Sequence, residues 1–310
     1  MTEAPISAGI DLGGTKIEAQ VFGPDWQLAA RHRWPTPKDY AGLLAAMAGA
    51  IRWCDAQAPG LPIGISAAGL VNPATGLALT SNLPATGKPF PADLAAAAGR
   101  PVAWINDCRA LTLSEARLGA ARDADPAVGL ILGTGVAGGV VTGGRLLPSP
   151  AATGGEFGHF PLAAGPVVAH HLPLLRCGCG REGCAETYLS APGLSRIAAH
   201  LTGQDHAPET IVAGRAATPA FALAWEIWLD LATEFLVTLC LTLDPQVIVL
   251  GGGLSRAPGL TDDLTRRLSA ATLRGFPIPA IRLAQGGDAS GARGAALHAL
   301  TGAGQETAHA

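Results

Sequence analysis

The 310 residues are 48% hydrophobic and only 15% charged, yet no apolar run reaches the roughly 18 residues that a membrane-spanning helix needs, so a soluble globular protein is expected. A chain this long can hold a large core and more often makes two lobes than one; its net charge of −3 gives no basic footprint for nucleic acid. The opening MTEAPISAG shows no secretory signal, and three of the six cysteines (Cys54, Cys108, Cys240) lie singly in apolar surroundings, which suits a reducing cytoplasm better than a disulfide framework.

In chain order, residues 6–22 read as a β-hairpin: an apolar strand, a D-L-G-G-T-K turn, and a strand with alternating Ile17, Ala19 and Val21. Gly13 and Gly14 permit positive φ and close approach of phosphate oxygens to backbone N–H groups. Thr15 and Lys16 add donors, and Asp11 is placed to hold Mg²⁺ directly or through water. The stretch is a phosphate clasp or merely a tight hairpin; it lacks the Walker spacing. Residues 39–58 have helical spacing, and 61–67 read as a buried strand ending in small residues before Gly69. Prolines and glycines break up 72–91, an expected irregular stretch in which Ser81 and Asn82 are either ligand contacts or turn formers.

A short strand over 101–105 runs into Asn106-Asp107, and 108–121 read as a helix. An aspartate where a strand meets a helix is placed either for catalysis, as in open α/β folds, or as a helix N-cap. Residues 128–141 give a second strand, a G-T-G-V-A-G-G turn and a further strand, echoing the opening hairpin. Two related lobes, each with a glycine loop, are expected to clamp a nucleotide.

The densest chemistry lies in 154–186. Cys177, Cys179 and Cys184 follow a C-x-C-x4-C spacing with glycines at 178, 180 and 183, which suits thiolates converging on one zinc ion. A closed site needs a fourth ligand, and His159, His170 and His171 are the candidates. His159 is preferred, because Glu156 precedes it by three residues and a zinc-fixed imidazole can offer its second nitrogen to a ligand. Glu186 follows the last cysteine by two, so zinc would tie two carboxylates and an imidazole into one corner.

Beyond the cluster, a helix is expected from Tyr188 to Leu201, a polar connection over 202–215, and a long apolar helix over 218–243 with Trp225 and Trp228 in the core. A buried strand at 247–250 runs into Gly251, Gly252 and Gly253, whose bare backbone could carry a base or ribose. A helix at 260–271, a strand at 281–283 and a helix at 292–300 close the chain.

Taken together, IDLGGTK, ILGTGVAGG, GEFGH, CGCGREGCAE and VIVLGGGLS resemble the ROK family of sugar kinases and repressors, and the likeness runs from about residue 9 to about residue 302. The resemblance implies α/β architecture in the two-lobed actin-like ATPase (ribonuclease H-like) fold. Residues 1–118 would form the N-terminal lobe, completed by the helix at about 292–302, and 119–291 the larger C-terminal lobe with the zinc knuckle. It implies ATP, Mg²⁺ and structural zinc as cofactors, a small-molecule sugar as partner, and a homodimer. Phosphoryl transfer would go to the 6-hydroxyl of a hexose, N-acetylglucosamine first, with N-acetylmannosamine, glucose and fructose as alternatives. The family's repressors add a DNA-binding helix-turn-helix in front of the first strand, for which the few residues here leave no expected room.

Residue by residue, the resemblance makes Asp107 the base that accepts the sugar 6-OH proton, with Asn106 beside it as a sugar contact. Gly69, Ser81 and Asn82 fall in the sugar loops. Glu156, His159 and Glu186 would bond sugar hydroxyls, with His159 also a zinc ligand alongside Cys177, Cys179 and Cys184. Gly9, Ile10, Asp11, Leu12, Gly13, Gly14, Thr15 and Lys16 would hold phosphates, as would Gly133, Thr134, Gly135, Val136, Ala137, Gly138, Gly139 and Val140; Gly251, Gly252 and Gly253 would hold adenosine. Two departures stand out. Cys108 and Arg109 follow the aspartate where the family usually has Ala or Gly and then Asn, and the first sugar loop reads SAAG where a proline often precedes the glycine.

Overall fold

The structure, a computed structural model, describes residues 4–302. In chain order it runs β1 (Ser7–Leu12), β2 (Lys16–Phe22), β3 (Leu28–Pro35), α1 (Tyr40–Gln57), β4 (Ile63–Ala67), β5 (Gly69–Val71), β6 (Ala78–Thr80), α2 (Phe90–Ala98), β7 (Ala103–Asn106) and α3 (Asp107–Leu118). Then come β8 (Ala127–Leu132), β9 (Val136–Thr142), β10 (Arg145–Leu146), α4 (Ala164–Ala169), α5 (Glu186–Leu189), α6 (Ala191–Thr202), α7 (Pro208–Gly214) and α8 (Pro219–Leu243). The last elements are β11 (Val247–Gly251), α9 (Leu260–Ala271), β12 (Ala280–Leu283) and α10 (Ser290–Gly302).

The chain divides into two compact units. One takes the residues up to Arg117, Leu146–Gly154, and those from Gly286 on; the other takes Leu118–Arg145 and Gly155–Gln285. Each is built on a mixed five-stranded sheet, ordered β3-β2-β1-β4-β7 in the first and β10-β9-β8-β11-β12 in the second. In both, the leading strand pairs antiparallel with the next strand of its hairpin and parallel with the strand on its other side, β1 with β4 and β8 with β11. The echo between the two hairpins in sequence is thus an echo of whole sheets.

In the first unit α10 lies directly across β1 and β4. A Cβ on Gly9 would fall 1.7 Å from the Ala292 carbonyl oxygen and one on Gly64 1.9 Å from that of Ala295, so only glycine lets the helix approach this closely. The core beneath is Ile10, Leu12, Ile17, Met47, Ile51 and Ile65. Leu146 packs against Ile105, Ala110 and Ala295, which explains why Leu146–Gly154 goes with the first unit although it follows the strands of the second. The second unit's core gathers on α8, where Trp228 is fully buried and stacks on Trp225 at 5.2 Å.

Residues 72–91 are mostly irregular, as expected, but β6 pairs with β5 in a hairpin closed by an Asn72–Gly76 turn, and the stretch runs into α2, which has a proline in its first turn. Two other elements were not expected. Within 202–215 lies α7, again with a proline in its first turn. The edge strand β3 is mostly exposed, with only Ala30 and Trp34 packed against the core, and its ladder to β2 is held by backbone.

Candidate active site and cysteine cluster

In the first unit β1 ends at Leu12, and residues 13–15 turn the chain into β2. The turn's carbonyls are all occupied: Gly13 accepts from the Thr36 hydroxyl at 2.7 Å, Gly14 from the Lys38 ammonium at 2.8 Å, and Thr15 from the Thr36 N–H at 3.0 Å. No bond engages the N–H groups of Gly14 and Thr15 among the described residues. A loop held by its acceptors while its donors face outward is suited to an anion. Asn82 closes on it, with its Cβ 2.9 Å from where a side chain on Gly14 would begin, which brings the loop of Ser81 and Asn82 against the turn. Gly9, Ile10 and Leu12 are buried in the strand and support the turn from below.

Asp11 receives a hydrogen bond from the fully buried Ser66 hydroxyl at 3.0 Å, its cross-strand partner on β4. A Cβ on Gly291, in the first turn of α10, would lie 2.5 Å from the Asp11 carboxylate. Loss of hydration raises the Asp11 carboxyl to about 6, against the lowering effect of Ser66 and with a further push from the negative charge of Asp107. Ser66 and Gly291 were not singled out from sequence. In SAAG the serine reads as a small residue making room, and only the parallel register of β1 and β4 turns it into a partner of Asp11.

Asp107 opens α3. The N-cap role that sequence left open for Asp107 is filled mainly by Asn106, whose Oδ1 accepts from the N–H groups of Cys108 at 2.9 Å and Arg109 at 3.3 Å. Its amide donates to the Gly69 carbonyl at 3.2 Å. Asp107 accepts from the Cys108 N–H at 3.0 Å with one oxygen, and burial raises its carboxyl above the ordinary range. Gly69 has φ +141°, and a side chain there would strike the Leu79 carbonyl at 2.4 Å. The unusual Cys108 is buried, and Arg109 donates to the carbonyls of Leu147 at 3.2 Å and Gly154 at 3.3 Å. These two residues therefore pack and tether the segment that leads to Glu156.

In the second unit the turn over Gly133, Thr134 and Gly135 is fixed by a bond from the Ala191 N–H to the Gly133 carbonyl at 2.7 Å. Gly252 lies against it, where a Cβ would meet the Leu132 carbonyl at 2.4 Å; Gly251 is buried at the end of β11, and a side chain on Gly253 would meet open space. Val136, Ala137, Gly138, Gly139 and Val140 belong to β9 itself. Gly138 lets β9 and the Gly155–His159 segment close together, and its N–H donates to the Gly155 carbonyl at 2.7 Å.

That segment carries Glu156 and His159 toward the cysteines. One ligand atom from each of His159, Cys177, Cys179 and Cys184 lies within 4.8 Å of every other. His159 Nδ1 is 3.6 Å from Cys177 Sγ, and Cys179 Sγ is 3.6 Å from Cys184 Sγ. Ligands about 2.3 Å from a tetrahedral zinc are separated by about 3.8 Å, so the two shortest pairs stand near that spacing and the donor types suit the ion. His170 is engaged elsewhere, 2.8 Å from Asp230, and neither it nor His171 joins the group. With Nδ1 turned to the thiols, Nε2 of His159 faces Glu156 at 3.8 Å. Glu186 is the junction: Oε1 accepts from the Cys177 thiol at 3.2 Å and stands 3.9 Å from His159 Nδ1, while Oε2 accepts from the Val136 N–H at 3.4 Å beside the glycine turn.

Mixed sheets of this order, a glycine turn after each leading strand and a Cys3His group define an α/β protein of the sugar-kinase type. Residues 7–301 match the ROK family, and the chain belongs to that family. It is 40% identical over 297 residues to an N-acetylgalactosamine kinase of Shewanella sp. (strain ANA-3), covering 93% of this chain and 95% of that one. It is 38% identical over 298 residues to an N-acetyl-D-glucosamine kinase of Yersinia pseudotuberculosis serotype IB (strain PB1/+), covering 93% and 97%. Among solved structures, a ROK hexokinase from Thermus thermophilus superposes with a TM-score of 0.85 at 32% identity, over 96% of this chain and 99% of that one. No helix among the described residues is long and apolar enough to cross a membrane.

Proposed function

We propose that this chain transfers the γ-phosphoryl group of MgATP to the 6-hydroxyl of N-acetyl-D-glucosamine, giving the 6-phosphate and ADP. The observation that carries the reading is Asp107: a half-buried carboxylate at a strand-to-helix junction whose capping duty is met by its neighbour Asn106. As the sugar oxygen bonds to phosphorus and ADP departs with the electron pair of the broken P–O bond, Asp107 takes the hydroxyl proton. A carboxyl pKa raised by burial makes it a stronger proton acceptor than a solvated aspartate.

The first unit contributes Asp107, Asn106, Gly69, Ser81 and Asn82 toward the sugar, and the turn from Asp11 to Lys16 toward phosphate. Mg²⁺ would be held beside Asp11 and neutralises phosphate charge when bound. The second unit contributes Glu156, His159 and Glu186 as sugar hydroxyl partners and the Gly133–Gly135 turn toward phosphate. Zinc would be held by His159, Cys177, Cys179 and Cys184, where it is structural: it fixes the imidazole so that Nε2 stays toward Glu156. On this reading the protein is a cytoplasmic homodimer that engages no nucleic acid.

A second reading has a specific observation behind it, since the 40% relative is named for N-acetylgalactosamine. The two sugars differ only at C4. A coupled ADP-release assay over N-acetylglucosamine, N-acetylgalactosamine, N-acetylmannosamine, glucose and fructose decides between them. N-acetylglucosamine should give the highest kcat/KM, with glucose lower by roughly 1–3 kcal/mol of transition-state binding for the unfilled acetamide subsite. A higher kcat/KM for N-acetylgalactosamine moves the substrate assignment to the C4 epimer, and no sugar-dependent ADP release from any hexose ends the kinase reading.

A further inference from the structure

Glu115 lies further along the α3 helix that Asp107 opens, and it is fully buried. One of its oxygens, Oε1, accepts from the Gly286 N–H at 2.7 Å and from the Ser290 hydroxyl at 3.1 Å, and stands 3.6 Å from the Arg293 guanidinium. The neighbouring Ser114 hydroxyl accepts from Arg293 Nε at 2.7 Å. Two adjacent residues of α3 thus hold the segment that opens α10. We propose that Glu115 is a positioning residue for phosphoryl transfer: by gripping the first turn of α10 it sets where the Asp11 carboxylate can stand relative to Asp107. The inference rests on the kinase reading and adds to it a group that acts through other residues.

Three close approaches lead from Glu115 to Asp11. The grip itself is tight, since a Cβ on Gly286 would fall 2.3 Å from the Ser290 hydroxyl oxygen and 2.8 Å from the Glu115 carboxylate. Ser290 is followed directly by Gly291, whose Cβ would fall 2.5 Å from Asp11 Oδ1, so the place of this turn limits the room that carboxylate has. A Cβ on Gly294 would fall 1.9 Å from the Ala110 carbonyl oxygen, so α10 meets α3 backbone to backbone at a point between Asp107 and Glu115 in sequence. With Gly9 set against Ala292, the first turns of α10 are wedged between β1, which carries Asp11, and α3, which carries Asp107. Contacts this close transmit a displacement instead of absorbing it. Desolvation takes back most of what a buried ion pair gains, and an apolar pair would hold the two helices as well. What the carboxylate adds is direction, because one oxygen gathers an N–H, a hydroxyl and a guanidinium at a single point.

The test is calorimetric binding of ADP with and without Mg²⁺, together with steady-state kinetics, on whole-protein variants whose melting curves are checked. Wild type should bind ADP at least about tenfold more tightly with Mg²⁺, since the ion neutralises phosphate charge. In Glu115→Ala that gain should shrink to within about threefold and kcat should fall by about tenfold to a hundredfold, the scale of a misplacement near 1 Å, while the sugar KM stays within about twofold. Glu115→Gln keeps an oxygen for the Gly286 N–H and the Ser290 hydroxyl, so it should recover kcat to within about threefold of wild type. Gly291→Ala reaches the same carboxylate without touching Glu115 and suits a helix better than glycine does, so it should lose the Mg²⁺ gain too, and it serves where Glu115→Ala fails to fold. A wild-type protein that binds no ADP, or binds it equally with and without Mg²⁺, overturns the kinase reading itself. With the wild-type gain present, a folded Glu115→Ala or Gly291→Ala protein that keeps it overturns this assignment alone, as does a Glu115→Gln protein as slow as Glu115→Ala.

Discussion

Asp107→Asn separates a catalytic carboxylate from a structural one, and the structure sets the expected size of both effects. The helix cap is carried by Asn106, with bonds of 2.9 and 3.3 Å, and an asparagine at 107 keeps an oxygen for the Cys108 N–H. What the fold loses is a negative charge in the first turn of α3, which is worth about 0.3–1 kcal/mol. What it gains is relief from burying that charge, the effect that raises the carboxyl in the first place. These nearly offset, so the variant should melt within about 1 kcal/mol of wild type. Turnover should fall by about 10² or more, at least about 2.7 kcal/mol of barrier, because the amide keeps the shape but cannot take a proton. The reciprocal variant, Asn106→Ala, should lose about 1 kcal/mol of stability through the missing cap. Steady-state kinetics with the coupled ADP assay and thermal melts on both proteins measure this. Near wild-type turnover in Asp107→Asn, with lowered stability, would return the residue to a capping role and remove the proposed base.

Burial also raises the Asp11 carboxyl from 3.8 to about 6, so the folded chain holds that proton more tightly than the unfolded chain does. The stability from this group is present below about pH 4 and is lost as the pH rises through 6, so Asp11→Asn should stabilise the protein by about 1–3 kcal/mol at pH 7 and by little at pH 4. Melts at the two pH values check it, and an equal effect at both sinks the argument. Cys179→Ser or chelation should release one zinc per chain and weaken sugar binding at least about tenfold while ADP affinity stays within about twofold. Metal-free protein with full sugar affinity would remove zinc from the account.

Sequence periodicity served best where burial is continuous. The long α8 and the buried β8 and β11 need their apolar residues wherever they pack, so pattern alone finds them. It missed β3, where only Ala30 and Trp34 pack against the core and the other residues are exposed, so the strand shows as one only through its ladder to β2. It also missed α2 and α7, two short helices that each carry a proline in the first turn, where no N–H is needed; 202–215 was expected only as a polar connection. In the candidate site, the three cysteines and Asp107 stand out because their chemistry is local in sequence. The preference for His159 over His170 and His171 rested on spacing, and the 4.8 Å grouping with the thiols gives it a geometric basis. Ser66 was out of reach in principle: its role depends on sitting opposite Asp11 across 55 residues of chain.

The repeated sheets also show where duplication stops. β1 and β8 each run six residues and each enter a three-residue turn before the next strand. Counting back from those turns, Asp11 in the first strand corresponds to Ile131 in the second, so the carboxylate beside the first turn has no counterpart in the backbone pattern of the other. The second turn instead receives a carboxylate from outside its sheet, through Glu186 bonding to Val136, and that glutamate follows directly on the cysteine cluster. The two turns share length and place but not bonding, the Gly13 N–H closing on Lys16 and the Gly133 N–H on Gly135, and the charged groups enter at positions that do not correspond. A variant that carries the first strand's carboxylate into the second, Ile131→Asp, would place a new negative charge near a turn already faced by Glu186.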